Sequence, residues 1–216
     1  MKKFQKIIIE YYAKIANIYE HAMYVDRPVS MIEEQEFLSK MLESSILGKK
    51  VVDVGCGTGY WLAYLPKDFE KVGVDISKQM LEKAKEKGLK NVVLGDVQNI
   101  PLKSNYFDTS LCFFTLQHIL SLENLISALK EIYRITRKKG RIIIAENIFN
   151  TKGEIKNECM LEIEEWVTQY GLEPVRIYRR LTNTKELEEV IKNLPLTIIN
   201  FNSKNNVFCY VLEKNE

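Results

Sequence analysis

The chain has 216 residues, 46% hydrophobic and 28% charged, enough apolar mass for one well-buried domain and too little for two. Its 31 basic and 29 acidic side chains leave a formal charge of +2, which offers no global field for a nucleic acid and argues against an RNA or DNA partner. No apolar run approaches the roughly eighteen residues of a membrane span and no secretory leader is read, so a cytoplasmic protein without a membrane partner is expected.

Phe4, Ile8, Tyr11, Tyr12, Ile15, Ile18 and Tyr19 recur at helical spacing and mark one apolar face. After the break at Arg27 and Pro28, the residues Met31, Phe37, Leu38, Met41 and Leu42 predict a second helix. Residues 1–47 are thus expected as a helical cap ahead of a core domain over 48–216.

The core opens on Val51, Val52, Asp53 and Val54, an apolar β-branched run leading into a loop with Gly55, Gly57 and Gly59. Glycine lets the backbone turn sharply and lets a ligand lie against bare main chain. The helical pattern from Tyr60 to Leu65 follows, and its start presents unpaired N–H groups. A second short strand, Lys71-Val72-Gly73-Val74, ends in Asp75, where a carboxylate can accept from both hydroxyls of a ribose.

Strands are predicted over 50–54, 71–75, 91–95, 107–113 and 141–147, separated by helical patterns. The most regular is Leu122, Leu125, Ile126, Leu129, Ile132 and Tyr133, closed by Lys138, Lys139 and Gly140. Such alternation predicts a parallel sheet with helices on both faces. Beyond residue 148, Ile155, Cys159, Ile163, Trp166 and Tyr170 outline an insertion helix over 152–171. A helix is predicted over 184–193, then strands over 196–202 and 206–213. The turn between those strands is short enough to require antiparallel pairing. Cys56, Cys112, Cys159 and Cys209 include no C-x-x-C pair, so reduced structural thiols and no metal site are expected.

The loop spacing is G-x-G-x-G, whereas a dinucleotide fingerprint needs G-x-G-x-x-G, and Asp53 just before it would repel a pyrophosphate. An NAD-binding unit is the alternative. The segment resembles motif I of the class I S-adenosylmethionine methyltransferases. The resemblance continues through Asp75, the Gly95-Asp96 pair and the stretch from Phe107 to Phe114, and spans residues 48–148. It implies an α/β fold: a Rossmann-like seven-stranded sheet, mostly parallel, with helices on both faces and a reversed last strand. It also implies S-adenosyl-L-methionine as cofactor, released as S-adenosyl-L-homocysteine.

By that resemblance Gly55, Cys56, Gly57 and Gly59 hold the methionine moiety, and Asp53 orients the loop or accepts from the amino group. Asp75 takes the ribose, Ile76 and Met80 pack on the adenine, and Asp96 and Val97 bind its edge. Phe113 belongs to the same site.

Phe113-Phe114-Thr115-Leu116-Gln117-His118 lacks the Asn/Asp-Pro-Pro-aromatic sequence of methyltransferases acting on adenine or glutamine, which argues against those substrates. Cys112 lies within its strand, so core packing is favoured over the nucleophilic role of RNA 5-methylcytosine enzymes. His118 is the only histidine of the core, expected either as a proton acceptor near neutral pH or as a structural residue.

Phe114 and His118, the Glu146-Asn147 pair and the Tyr11-Tyr12 pair also resemble the protein α-N-terminal methyltransferases, with Phe114 where that family has tryptophan. That resemblance implies that His118 and an acid of the insertion, Glu158 being nearest, deprotonate an amine, while Asn147 binds the acceptor. Tyr11, Tyr12, Tyr24 and Phe114 complete the expected acceptor side.

The resulting reading is a methyltransferase, monomer or homodimer, acting on an amine, with a protein N-terminus ahead of a metabolite. The runner-up is a small-molecule O- or C-methyltransferase of the ubiquinone-biosynthesis type, which the Asn99-Ile100-Pro101-Leu102 stretch resembles most. A non-catalytic S-adenosylmethionine-binding partner subunit is the third.

Overall fold

The computed structural model describes residues 3–26, 29–147, 159–180 and 184–216. In chain order it runs α1 (Lys3–Ile15), α2 (Val29–Ser45), β1 (Lys50–Val54), α3 (Tyr60–Tyr64), β2 (Glu70–Asp75), α4 (Lys78–Glu86) and β3 (Val92–Leu94). There follow β4 (Phe107–Phe113), α5 (Leu122–Ile135), β5 (Thr136–Asn147), β6 (Cys159–Glu164), β7 (Val175–Arg180), α6 (Thr184–Lys192), β8 (Leu196–Lys204) and β9 (Val207–Lys214).

Seven strands form one sheet in the order β3-β2-β1-β4-β5-β9-β8. The pairs among β1 to β5 are parallel, while β9 runs antiparallel to both β5 and β8. The predicted Rossmann-like sheet with a reversed last strand is therefore what the chain forms. The sheet is covered on both faces, so its central strands are apolar at successive positions instead of alternating with polar ones. Val52 and Ile142 point to a layer with Leu129 and Ile132 of α5 and Leu187 of α6. Val51 and Ile143 point to the opposite layer, with Leu38 and Leu42 of α2 and Leu62 of α3. A third, smaller cluster joins Tyr11 and Ile15 of α1 to Met80 of α4, Val167 and Ile177. No helix among the described residues is long and apolar enough to cross a membrane.

Three expectations are corrected. The described part of the 152–171 segment is not a helix. It is β6 followed by a short 3-10 helix over Glu165–Tyr170, and β6 pairs antiparallel with β7 from Cys159↔Arg180 to Glu164↔Val175. The sequence carries both periods there, since Cys159, Leu161 and Ile163 also alternate with Met160, Glu162 and Glu164. The partner strand decides between them.

Next, α5 ends at Ile135, and Lys138, Lys139 and Gly140 lie in β5. Pairing of Phe107 with Thr136 and the buried Ser110–Thr136 hydrogen bond at 2.7 Å draw the chain into the sheet five residues before the expected strand. Finally, among the described residues of the 1–47 segment, those that reach the ligand cavity described below lie on α1 and the turn after it. Helix α2 is a layer helix against β5, β9 and β8.

Candidate active site

The carboxyl ends of β1, β2 and β4 open on a cavity of about 1000 Å3 that communicates with solvent, at the edge of the parallel sheet where ligands of open α/β folds bind. Its floor is the loop after β1. Gly55 has φ +80°, and a Cβ there would stand 2.0 Å from Thr115 Oγ1, so the loop can lie this close to the end of β4 only without a side chain. Gly57 has φ +53° and faces open space, with nothing within 4 Å of where a Cβ would be. Its N–H donates to Asp75 Oδ2 at 2.8 Å, and the N–H of Ser77 donates to Asp75 Oδ1 at 2.8 Å. Burial holds the Asp75 carboxyl above the usual range, opposed by these backbone donors. A bare glycine face beside a held carboxylate at the end of β2 suits a ribose with an amino-acid tail.

Ile76, Asp96 and Val97 continue the wall. Asp96 Oδ2 accepts from Gln5 Nε2 at 2.5 Å, and its Oδ1 accepts from the N–H of Gln98 at 2.9 Å. Cys56 and Phe113 also line the cavity. The cap is tied to the glycine loop at a further point, where Thr58 Oγ1 donates to Glu20 Oε1 at 2.6 Å and Lys87 pairs with the same carboxylate.

The other end is aromatic. Tyr12, Tyr19, Phe114 and His118 line it. The Tyr12 hydroxyl and His118 Nε2 are 2.7 Å apart, and the two rings meet edge to face at 5.3 Å. His118 Nδ1 is buried with no partner among the described residues. Burial, and then the Arg179 guanidinium, push the His118 imidazolium well below its usual range, so the ring is neutral. Phe114 has φ +55°, an uncommon conformation for a bulky residue, with its N–H donating to Ala145 O at 2.8 Å.

Five expected site residues do not line the cavity. Gly59 has φ +77° at the start of α3, and a Cβ there would meet Leu89 at 2.1 Å, so it serves the packing of α3 on α4. Asp53 lies beneath the loop, 1% exposed, with Oδ2 unpartnered among the described residues; burial and then Asp75 push its carboxyl up to about 8. Met80 and Tyr11 are core residues of the cluster between α1 and α4, because their helical positions face the partner helix. Asn147 donates to Gln117 Oε1 at 3.2 Å, away from the cavity.

The side chain of Tyr24 and all of Glu158 lie outside the described residues. Sequence reasoning passed over Gln5, although it stands three and seven residues before Ile8 and Tyr12 on their helical face. It also passed over Arg179, for which no local pattern gives a signal. Glu146 went unassigned except as a neighbour of Asn147. It is fully buried, its Oε1 accepts from the N–H of Leu116 at 2.6 Å, and burial pushes it up to about 8.

A family model of a methyltransferase domain matches residues 52–144. The uncharacterised protein MJ1252 of Methanocaldococcus jannaschii is 32% identical over 198 residues, covering 86% of this chain and 74% of that one. Demethylmenaquinone methyltransferase of a Geobacillus species is 37% identical over 109 residues, 46% of this chain and 45% of that enzyme. The crystal structure of an S-adenosylmethionine-dependent methyltransferase from Clostridium acetobutylicum shares the fold, with TM-score 0.70 and 19% identity over 95% of this chain and 100% of that one. With its sheet order, its glycine loop and these relatives, the chain belongs to the class I methyltransferases, enzymes that use S-adenosylmethionine as cofactor.

Proposed function

We propose that this methyltransferase acts on a small acceptor whose attacking atom carries a proton, and that His118 takes that proton. The observation that carries the reading is the imidazole itself: a neutral ring on the cavity wall, held through Nε2 by Tyr12, with a buried Nδ1 that has no partner among the described residues. If Nε2 donates to the Tyr12 oxygen, Nδ1 presents a lone pair, and this tautomer is the one the proposal requires.

When bound, S-adenosylmethionine supplies an electrophilic methyl group on a sulfonium. The chain does the rest. Gly57 and Asp75 hold the ribose end, Asp96 and Val97 the adenine end. Phe114, Tyr19 and Tyr12 keep water from the acceptor and fix its orientation. Positioning of this kind is worth up to ~7–11 kcal/mol of barrier, and a placed base adds roughly 10²–10⁴-fold.

Between acceptor classes, the charge around His118 favours a hydroxyl, as in a phenol or enol, over the amine that the sequence resemblance suggested. An α-amino group with a pKa near 8 would arrive largely as ammonium, close to the Arg179 guanidinium whose charge bears on Tyr12, Tyr19 and His118. Asn147, the expected peptide-binding residue, bonds to Gln117 instead. The demethylmenaquinone relative is named for a small molecule, which supports a metabolite acceptor over a protein one.

Methyl-labelled S-adenosylmethionine, offered with separate metabolite, protein and RNA fractions, tests the reading. Label is expected in the metabolite fraction and absent with His118→Ala. Label in protein or RNA overturns it.

A further inference from the structure

His118 stands on a short 3-10 turn, Leu116–His118, and the seat of that turn sets where its ring points. The turn closes through the N–H groups of His118 and Ile119, which donate to Thr115 O at 3.1 Å and Leu116 O at 2.9 Å. Its leading N–H, that of Leu116, lies ahead of these bonds and finds no acceptor within the turn. Strand β5 supplies one. The β4–β5 ladder runs up to Phe113↔Ala145, and the Phe114 N–H then donates to Ala145 O at 2.8 Å. There Phe114, with φ +55°, carries the chain out of the sheet. One residue further along β5 the side chain of Glu146 takes over where the backbone ladder stops, and its Oε1 accepts from the Leu116 N–H at 2.6 Å.

Glu146 is firmly seated, since its backbone pairs with Phe208 of β9 and its side chain is fully buried. A buried carboxyl is costly to a fold, and this one does not line the cavity. Its second oxygen, Oε2, has no hydrogen-bond partner among the described residues. Burial pushes the group up to about 8, opposed first by the Leu116 N–H and then by those of Thr115 and Gln117. All three donors belong to the residues that lead into His118. The ring itself is held at Nε2 by Tyr12, while Nδ1 has no partner among the described residues.

We propose that Glu146 is a positioning residue for the acceptor proton transfer: by holding the Leu116 N–H it fixes the turn, so that His118 meets Tyr12 through Nε2 and leaves Nδ1 to the acceptor. This rests on the reading of His118 as the base. The hydrogen bond and not the charge carries the role, because a backbone N–H can be held by any oxygen at that place.

The chain has two histidines, His21 and His118, so isotope labelling of the imidazole nitrogens gives an NMR spectrum that one His21→Gln variant assigns. In the wild type His118 is expected as a single neutral tautomer, with well-separated signals for a protonated Nε2 and a bare Nδ1. Glu146→Gln keeps an oxygen within reach of Leu116 and should leave that spectrum unchanged. Glu146→Asp keeps the carboxyl but withdraws it by one methylene, and the two signals should move toward each other as the ring exchanges between tautomers. Calorimetry with S-adenosylhomocysteine should give wild-type affinity in both variants, which shows that each is folded with its cofactor end intact.

A wild-type spectrum in Glu146→Asp overturns the proposal, and so does an altered one in a folded Glu146→Gln. Hydrogen exchange on the wild type supplies a readout without a variant. The Leu116 amide should be among the slowest to exchange in the 114–119 segment, and exchange as fast as an exposed loop overturns the role of Glu146 even where Glu146→Asp does not fold. The two levels of the reading separate in the wild-type spectrum. A protonated Nδ1, or an imidazolium at neutral pH, removes His118 as the base and Glu146 with it. The expected tautomer together with a silent Glu146→Asp removes Glu146 alone.

Discussion

Across one cavity the glycine loop after β1 faces a wall made of α1, the 116–118 turn and, behind it, β7. The loop and its partners Asp75 and Asp96 sit within about fifty residues of one another in sequence, on consecutive strand ends. The opposite wall assembles Tyr12, Tyr19, Phe114 and His118, and its Tyr12–His118 contact joins residues 106 apart along the chain. The loop side is polar and made largely of backbone; the far side is aromatic and made of side chains. A fixed ligand can be met by main chain whose geometry is set locally, whereas a variable acceptor is met by side chains delivered from separate elements. The contrast fits an enzyme whose cofactor is common to its family and whose acceptor is its own.

If the two sides do separate jobs, changes on each should leave the other's signature untouched. The largest effect is expected at His118. His118→Ala should lower kcat by roughly 10²-fold or more with S-adenosylhomocysteine affinity nearly unchanged, and loss of cofactor binding in this variant would blur the division. On the loop side, Asp75→Ala removes the partner of the Gly57 and Ser77 N–H groups as well as the proposed ribose acceptor. Calorimetry should show cofactor affinity falling about thirty- to one-hundred-fold, which is about 2–3 kcal/mol. Wild-type affinity there would remove Asp75 from the site.

A smaller effect, on stability alone, tests how tightly the two sides abut. Gly55→Ala places a Cβ against Thr115 Oγ1 at a φ of +80°. It should cost about 2 kcal/mol, read as a drop of several degrees in Tm. An unchanged Tm would show that Thr115 yields freely.

An effect visible only as a pH dependence concerns Asp53, whose carboxyl is pushed up to about 8 from a usual value near 4. The folded chain keeps this proton where the unfolded chain has lost it. Its contribution to stability is therefore full below about pH 4 and declines as the pH rises through 8. Asp53→Asn does not titrate, so its stability relative to wild type should climb by about 1 kcal/mol per pH unit between pH 5 and pH 8 and level off above about pH 9. Urea denaturation at pH 5, 7 and 9 checks the sign, and a flat difference contradicts it.

The legibility of the two sides in the sequence differs in the same way. Gly55, Gly57, Asp75 and Asp96 were readable as cavity-lining positions because strand, loop and acid stand in fixed order at short range. Gly59 and Met80 belonged to the same pattern yet serve packing, since the motif does not say which helical face the ligand takes. On the far wall Tyr12 and His118 were readable as types, but Tyr11 beside Tyr12 was indistinguishable from it until the helix was seated. Tyr11 is 3% exposed in the core and Tyr12 lines the cavity. The 100° turn between neighbours on a helix decides this, and the turn has meaning only against a neighbour.

From the sequence alone come the strand–helix alternation, the parallel core with its reversed last strand and the glycine loop on the cavity floor. Each follows from local periodicity, from glycine's freedom at positive φ and from a turn too short for a crossover. Tertiary structure decided that residues 159–164 are a strand, because a segment carrying both periods takes the one for which a partner exists, and β7 is that partner. It also decided that Gln5 meets Asp96 and that Arg179 bears on His118. Those two contacts join residues that share no local pattern, and only the packing of α1 and β7 around the end of β4 brings them together.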